Sequence, residues 1–172
     1  YEVSDFATTT TGASTGFLSD LVGASGYTTL TASDANKFTV PMSAISTAAD
    51  FYFSFKNVDT YTGMNTILVV PEVCTSISNF TFAIRLWDFE NSQWTTGSST
   101  VNSSTCNTDT EFAFSFNDTF VPGFVFEDHI SPTGEIRVGF LTNAPAAVRN
   151  LQFDRIYIML GSVNADTAEC EM

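Results

Sequence analysis

The sequence is poor in histidine, and this shortage excludes the commonest kinds of catalytic centre. Its only histidine, His129, lies on a predicted loop, where we expect it at the surface. One histidine and three cysteines do not make the tetrahedral ligand set of a zinc site if two of the cysteines form the disulfide that we predict below. A Ser-His-Asp triad would need the same histidine, and no Gly-x-Ser-x-Gly elbow presents a nucleophile. Carboxylate pairs for glycoside hydrolysis stay open because nineteen acidic residues always offer pairs, but the sequence predicts a protein that is not an enzyme.

Basic residues and long apolar runs are also scarce. Six lysines and arginines stand against nineteen acidic residues, and the net charge of −13 repels phosphate backbones, which excludes nucleic acid as a partner. No apolar run approaches the ~18 residues of a membrane span, so we expect no membrane insertion. The first residues include no initiator Met and no signal pattern, which suggests a secreted or cell-surface protein after signal removal, although a truncated chain would begin in the same way.

Phenylalanine, in contrast, is abundant and recurs at alternating positions. Most of the seventeen phenylalanines fall in runs of period two, such as Phe51, Phe53 and Phe55, separated by polar or small residues. Successive side chains of a strand point to opposite faces, so each run predicts a strand with one apolar face. Such strands pack face to face in an all-β antiparallel β-sandwich of the jelly-roll type. About ten strands are predicted, at residues 27–32, 37–42, 50–56, 64–70, 77–89, 93–101, 110–116, 122–127, 135–141 and 151–160.

The chain is expected to form one domain, because 172 residues are enough for a single core. Its predicted parts are an extended N-terminal leader at 1–16, the sandwich at 17–163 and a polar C-terminal tail at 164–172. The leader is rich in threonine and has no sustained apolar period. Two alternatives follow for it, a flexible segment or a lone extended segment that adds to a sheet edge.

Two of the three cysteines are placed symmetrically about a predicted hairpin turn. Cys74 lies sixteen positions before Glu90 in that turn, and Cys106 lies sixteen after it. Folding the hairpin brings both thiols to its open end, so we predict a Cys74–Cys106 disulfide and an oxidising compartment, with two buried free thiols as the alternative. Cys170 is then left for an intermolecular bond or a free thiol.

Three Asn-x-Ser/Thr sequons, at Asn79, Asn102 and Asn117, are candidate glycosylation sites. Strand parity turns Asn79 away from the inward phenylalanines, and the same parity predicts that Asn117 points outward beyond Phe116. We expect all three to accept glycan if the chain passes through a glycosylating secretory route.

The two tryptophans are candidates for sugar binding. Parity puts Trp87 on the strand face opposite Ile84 and Leu86, and Trp94 begins the return strand nearby. On an open face, the two indoles with Asp88 and Glu90 form a sugar platform, whereas on a covered face they are ordinary packing. Acidic pairs at 88/90, 127/128 and 169/171 offer oxygens to Ca²⁺, but none has the spacing of a dedicated calcium loop, so no metal site is predicted.

Three pieces of the sequence share short motifs with a known group of domains. They are Gly16 to Leu21 with Tyr27 to Thr31, Ile84 to Asp88 with Gln93-Trp94, and Gly134 to Val138 with Leu151 to Ile156. In these pieces the chain resembles the galactose-binding-like, carbohydrate-binding-module-like jelly-roll domains of secreted proteins. The resemblance implies a non-catalytic extracellular jelly roll. Such folds host sugar binding, adhesion and assembly alike.

These observations favour an extracellular structural or adhesive subunit that assembles with copies of itself. Strand exchange is the natural route, because a sandwich edge has unpaired backbone groups. Tyr1, Val3 and Phe6 of the leader would then enter a groove of the neighbouring copy. The alternative is a carbohydrate-binding, lectin-like module that uses Trp87 and Trp94, with Ca²⁺ only as an accessory.

Overall fold

The structure, a computed structural model, describes residues 5–8, 38–42, 50–60, 62–75, 80–103, 110–142 and 149–162, and side chains only at 52–60, 62–73, 83–97, 111–141 and 152–162. These ranges contain ten strands and one 3₁₀ helix, Glu127–His129. The strands are β1 (Asp5–Thr8), β2 (Phe38–Met42), β3 (Asp50–Phe55), β4 (Thr66–Thr75), β5 (Phe80–Asp88), β6 (Gln93–Ser103), β7 (Thr110–Glu111), β8 (Phe114–Phe116), β9 (Ile136–Thr142) and β10 (Arg149–Gly161).

The strands form two antiparallel sheets, so the predicted all-β antiparallel sandwich is confirmed. The first sheet has the order β1-β3-β9-β5-β6. The second has the order β2-β10-β4-β7, and β8 also pairs with β4. Strand β9 lies between β3 and β5, which are far apart in the sequence, so outward side chains of these three strands become neighbours only through tertiary pairing.

The core lies between the two sheets and is rich in phenylalanine, as the period-two runs predicted. Phe53 and Phe140 of the first sheet meet Phe153 of the second, with ring centroids 5.0 to 5.8 Å apart in edge-to-face geometry. Such pairs contribute about 0.5–1.5 kcal/mol each beyond the burial of their area. Further fully buried core residues are Phe55, Ile67, Val69, Ile84, Leu86, Ile136, Val138, Ile156 and Ile158.

The predicted strand at 122–127 is wrong. Residues 117–126 form turns instead, because Pro122 lacks a backbone donor and Gly123 adopts a left-handed conformation with φ of 82°. The loop still buries Phe124 and Phe126, which it folds back over the core. The predicted strand at 110–116 is divided into β7 and β8, while the one at 27–32 lies outside the described residues.

Part of the predicted leader is an edge strand within the same chain. Strand β1 pairs antiparallel with β3, and Phe6 lies opposite Phe53 in the register. The edge of β3 is therefore occupied by its own chain, so it needs no strand from a neighbour. Tyr1 and Val3 lie outside the described residues. No helix in the described ranges is long and apolar enough to cross a membrane.

Candidate functional site

The outer face of the first sheet carries four aromatic rings, which we call the aromatic cluster: Tyr52, Trp87, Phe89 and Trp94. In β5, Ile84 and Leu86 are fully buried, so the alternation turns Trp87 outward as predicted. All four rings are half-buried.

The two indoles come together because β5 and β6 form a tight hairpin. Residues 89–92 make the turn, and Trp87 lies directly opposite Trp94 in the register. Their ring centroids are 5.2 Å apart and the ring planes meet at 70°. The two indoles therefore meet edge to face and form a corner on the surface of the sheet.

Gly139 of β9 makes room for Trp94. In the register Gly139 pairs with Tyr52 on one side and with Arg85 on the other. A Cβ atom at Gly139 would lie 2.7 Å from Cζ3 of Trp94, so the indole occupies the space that any other side chain would fill. The indole of Trp94 thus reaches from the edge strand β6 across β5, to within 5.9 Å of the Tyr52 ring centroid.

Arg85 lies against the Trp94 ring and is well covered. Its guanidinium carbon is 4.7 Å from the ring centroid of Trp94. The residue is only 7% exposed, although it belongs to the outer face of the sheet. A cation over an aromatic face is attracted by the negative charge of that face, so Arg85 helps to hold the indole in position.

A second arginine, Arg137, is held in place by an ion pair. Its Nε donates to Glu135 Oε1 at 2.9 Å and its Nη2 donates to Oε2 at 3.1 Å. The hydroxyl of Ser54 donates to the same Oε1 at 2.7 Å. Burial would raise the pKa of Glu135, but the hydrogen bonds from Arg137 and Ser54 outweigh it and lower that pKa.

The paired Arg137 also contacts the aromatic cluster. Its guanidinium carbon lies 5.4 Å from the ring centroid of Tyr52 and 5.1 Å from that of Phe89. The hydrogen bond to Glu135 raises the pKa of Arg137 further, so the guanidinium stays charged. The site therefore combines aromatic faces with donors and an acceptor fixed beside them.

Asp88 and Glu90 do not form the carboxylate pair predicted beside the indoles. Asp88 is 5% exposed and accepts hydrogen bonds from the backbone N–H and the Nδ2 of Asn91 at 2.8 and 2.9 Å. It points away from Trp87 because successive side chains alternate, and it stabilises the turn. Burial would raise the pKa of Asp88, but the hydrogen bonds from Asn91 lower it. Glu90 is exposed in the turn.

His129 is buried, so the expectation of a surface histidine is wrong. The residue is 3% exposed, and its ring stacks on Phe124 with centroids 4.4 Å apart. Nδ1 lies 2.8 Å from the carbonyl oxygen of Val125 and Nε2 lies 2.8 Å from Oγ1 of Thr95. The carbonyl can only accept, so Nδ1 carries the proton and the Thr95 hydroxyl donates to Nε2. Burial lowers the pKa of His129, and the bond to Val125 and the charges of Asp88 and Asp128 only partly oppose this.

Two cavities lie at the loop end of the sandwich. One, of about 450 Å³, is lined among others by Met64, Asn117 and Phe126, and the other, of about 490 Å³, by Thr60, Phe126 and Ile130. Neither is lined by the aromatic cluster. No three of the His, Cys, Asp and Glu side chains that the structure describes come together as a metal site.

The prediction that Asn117 points outward is wrong. Its side chain is 5% exposed, and Oδ1 accepts hydrogen bonds from the backbone N–H groups of Thr119 and Phe120. Strand β8 ends at Phe116, so the period-two parity no longer applies at the next residue. An amide buried in this way is not accessible to a glycan in the folded protein.

The other modification sites remain predictions. Cys74 lies in β4 and Asn102 lies in β6, but their side chains are not described. Asn79, Cys106 and Cys170 lie outside the described residues. The Cys74–Cys106 disulfide and glycosylation at Asn79 and Asn102 are therefore untested.

The comparisons with known proteins bear on the fold. No family model matches the sequence, and no curated protein matches it significantly. The structure is similar to the carbohydrate-binding module CBM4 at 11% identity and a TM-score of 0.48, covering 76% of this chain and 87% of that one. It is also similar to CBM61 in complex with β-1,4-galactotriose, at 11% identity and a TM-score of 0.44, covering 92% and 90% of the two chains. A third similar structure is CBM28, which is specific for non-crystalline cellulose. Its sequence identity is 11% and its TM-score is 0.44, and the match covers 71% of this chain and 73% of that one.

All three of these structures are carbohydrate-binding modules. At such identities and TM-scores, the likeness assigns no family to this chain and transfers no ligand to it.

Proposed function

We propose that the outer face of the first sheet is a non-catalytic saccharide-binding surface, and that the chain acts outside the cell on a glycan. The observation that supports this is the aromatic cluster: four half-buried rings share the outer face of one sheet with the fixed pair Arg137–Glu135. Flat rings stack on the apolar faces of sugars, while nearby polar groups bond to their hydroxyls. Each kind of contact that a sugar needs is present at this face.

The rings of the cluster lie close together although their strands do not. Tyr52 and Trp94 belong to β3 and β6, which are separated by β9 and β5. Their ring centroids are nevertheless 5.9 Å apart, and those of Trp94 and Trp87 are 5.2 Å apart. The cluster is therefore a compact patch, and the proposal does not depend on the length of the glycan.

Isothermal titration calorimetry against neutral polysaccharides and oligosaccharides tests the proposal, with β-1,4-galactotriose and soluble cello-oligosaccharides in the panel. We expect the wild-type protein to bind at least one of them and Trp94→Ala or Trp87→Ala to lower that affinity by tenfold or more, about 1.4 kcal/mol. Because Trp94 also packs on Gly139 and Arg85, its loss should lower the melting temperature as well, so binding is measured below the unfolding transition of each variant. If the wild-type protein binds no glycan of the panel, the proposal is wrong.

Tyr157→Ala is the matched control. Tyr157 is half-buried, lies in β10 of the second sheet and has the guanidinium carbon of Arg155 at 4.5 Å from its ring centroid. It thus reproduces an aromatic–arginine contact on a different sheet. We expect this variant to bind glycan as the wild-type protein does, and an equal loss in both variants would indicate a general effect on the fold.

The self-assembling subunit that the sequence favoured has no support in the observed contacts. Part of the leader that would have to be exchanged, β1, pairs with β3 of its own chain. We therefore expect gel filtration of the native protein to give a monomer. A polymer in that experiment would restore the strand-exchange hypothesis.

A further inference from the structure

The aromatic cluster is rich in positive charge for a protein with so few basic residues. Of the six basic residues in the chain, Arg85 and Arg137 contact rings of the cluster. Arg85 is covered, at 7% exposure. The side chain of Arg137 is 31% exposed, so it is the cation of the cluster that a ligand can approach. The carboxylate paired with it, Glu135, is itself 17% exposed.

Glu135 occupies the part of Arg137 that would bind an acidic sugar. A guanidinium binds a carboxylate best through two parallel N–H groups. The N–H groups at Nε and Nη2 of Arg137 both donate their hydrogen bonds to Glu135. Ser54 donates a further hydrogen bond to the same carboxylate and holds it in position. A second carboxylate at this place would lose the bidentate geometry and would be repelled by Glu135.

We propose that Glu135 is a specificity-determining residue, which makes the surface select neutral saccharides and reject saccharides that carry uronic acids. This inference depends on the proposed function, because it concerns the ligand class of the same site. Glu135 neutralises Arg137 while it keeps the guanidinium against Tyr52 and Phe89. The guanidinium is left to act on hydroxyl groups, whereas an unpaired guanidinium between two rings would attract anions.

The experiment compares two hexasaccharides that differ only at C6, cellohexaose and the β-1,4-linked hexamer of glucuronic acid, together with any neutral glycan that the wild-type protein binds. We expect the wild-type protein to prefer the neutral glycans. Glu135→Gln keeps the size of the side chain but removes its charge, and it should raise the affinity for the glucuronic acid hexamer by about fivefold to tenfold. At 1 M salt, where the Debye length is about 3 Å, most of this gain should disappear.

Three further variants locate the effect. Ser54→Ala leaves the ion pair intact and should not produce the gain. The double variant Glu135→Gln/Arg137→Gln should lose the gain, because the freed guanidinium is its source. Lys56, an exposed residue whose charge also acts on Glu135, is the other candidate cation, so Glu135→Gln/Lys56→Gln should keep the gain.

The outcomes separate the two proposals. If the wild-type protein binds neutral glycan but also binds the glucuronic acid hexamer as tightly, or if Glu135→Gln leaves the affinity for that hexamer unchanged, the inference about Glu135 is wrong and the proposed function stands. If no neutral glycan binds to the wild-type protein, the proposed function itself fails.

Discussion

The substitution Gly139→Ala tests how Trp94 is positioned, and its effect can be worked out from the geometry. Gly139 lies within β9, and its φ is not in the left-handed region, so the backbone accepts alanine. The added Cβ would lie 2.7, 2.9 and 3.1 Å from three atoms of the Trp94 six-membered ring. Real Cβ contacts are essentially never under 3.0 Å and ordinary contact begins at 3.4 Å, so the ring must move by at least about 0.3 Å and by about 0.7 Å to reach ordinary contact.

Stability and binding should respond differently to this shift. Overpacking in a closed core costs about 1–3 kcal/mol, and Trp94 is half-exposed and can move towards solvent, so we expect a cost near 1 kcal/mol. For a domain of this size the melting temperature would then fall by about 2–4 °C. The glycan affinity should fall by about tenfold or more, because the displaced indole no longer meets Trp87 and Tyr52 in the same geometry.

Thermal unfolding, calorimetric titration and tryptophan fluorescence measure these effects. Trp87 and Trp94 are the only two tryptophans in the chain, so the emission reports on the aromatic cluster alone. Gly161→Ala is the control, because no heavy atom lies within 4 Å of its added Cβ. Unchanged emission and unchanged affinity in Gly139→Ala would refute the positioning of Trp94 by Gly139.

Three other predictions concern the rest of the molecule. Lowering the pH from 6.5 to 5.5 should reduce the free energy of unfolding by up to about 1 kcal/mol, because the unfolded chain protonates His129 while the buried ring, with its lowered pKa, does not. Urea titrations of His129→Gln should lack this slope, and an identical slope would contradict the assignment. Asp88→Ala should destabilise the protein by about 1–3 kcal/mol, since the turn loses its acceptor, and Asp88→Asn should cost less; equal costs would contradict the role of the carboxylate. Peptide mapping without reductant should find Cys74 bonded to Cys106, and alkylation of both thiols in the native protein would exclude that bond.

The sequence predicts the layers of this fold well because period two is a local property. Residues such as Phe53, Ile84 and Leu86 alternate with polar neighbours, and the core face of each strand follows directly. Parity failed where the strand itself ended. At Asn117 a turn follows β8, and the hydrogen bonds from the backbone N–H groups of Thr119 and Phe120 keep the side chain buried, which an alternation rule cannot predict. Phe124 and Phe126 are buried as their spacing indicated, but from a loop that contains Pro122 and Gly123.

The candidate site could be predicted only in part. Trp87 and Trp94 belong to one hairpin, so the sequence brings them together. Tyr52, Arg137 and Gly139 alternate with core residues of their strands, but their place beside the indoles depends on β9 lying between β3 and β5. A single sequence contains no signal for that pairing. Glu135 was missed for the same reason, since its partner Ser54 is 81 positions away.

The central positions of β9 and β10 have a consequence for the order of folding. Strand β9 completes the first sheet between β3 and β5, and β10 completes the second between β2 and β4. During synthesis the β5–β6 hairpin can form early, but both sheets remain open until residues 136–161 have emerged. Pairing over such sequence distances is slow, and the waiting strands expose apolar faces and free edges. The chain should therefore depend on protection by chaperones most strongly just before β9 and β10 leave the ribosome.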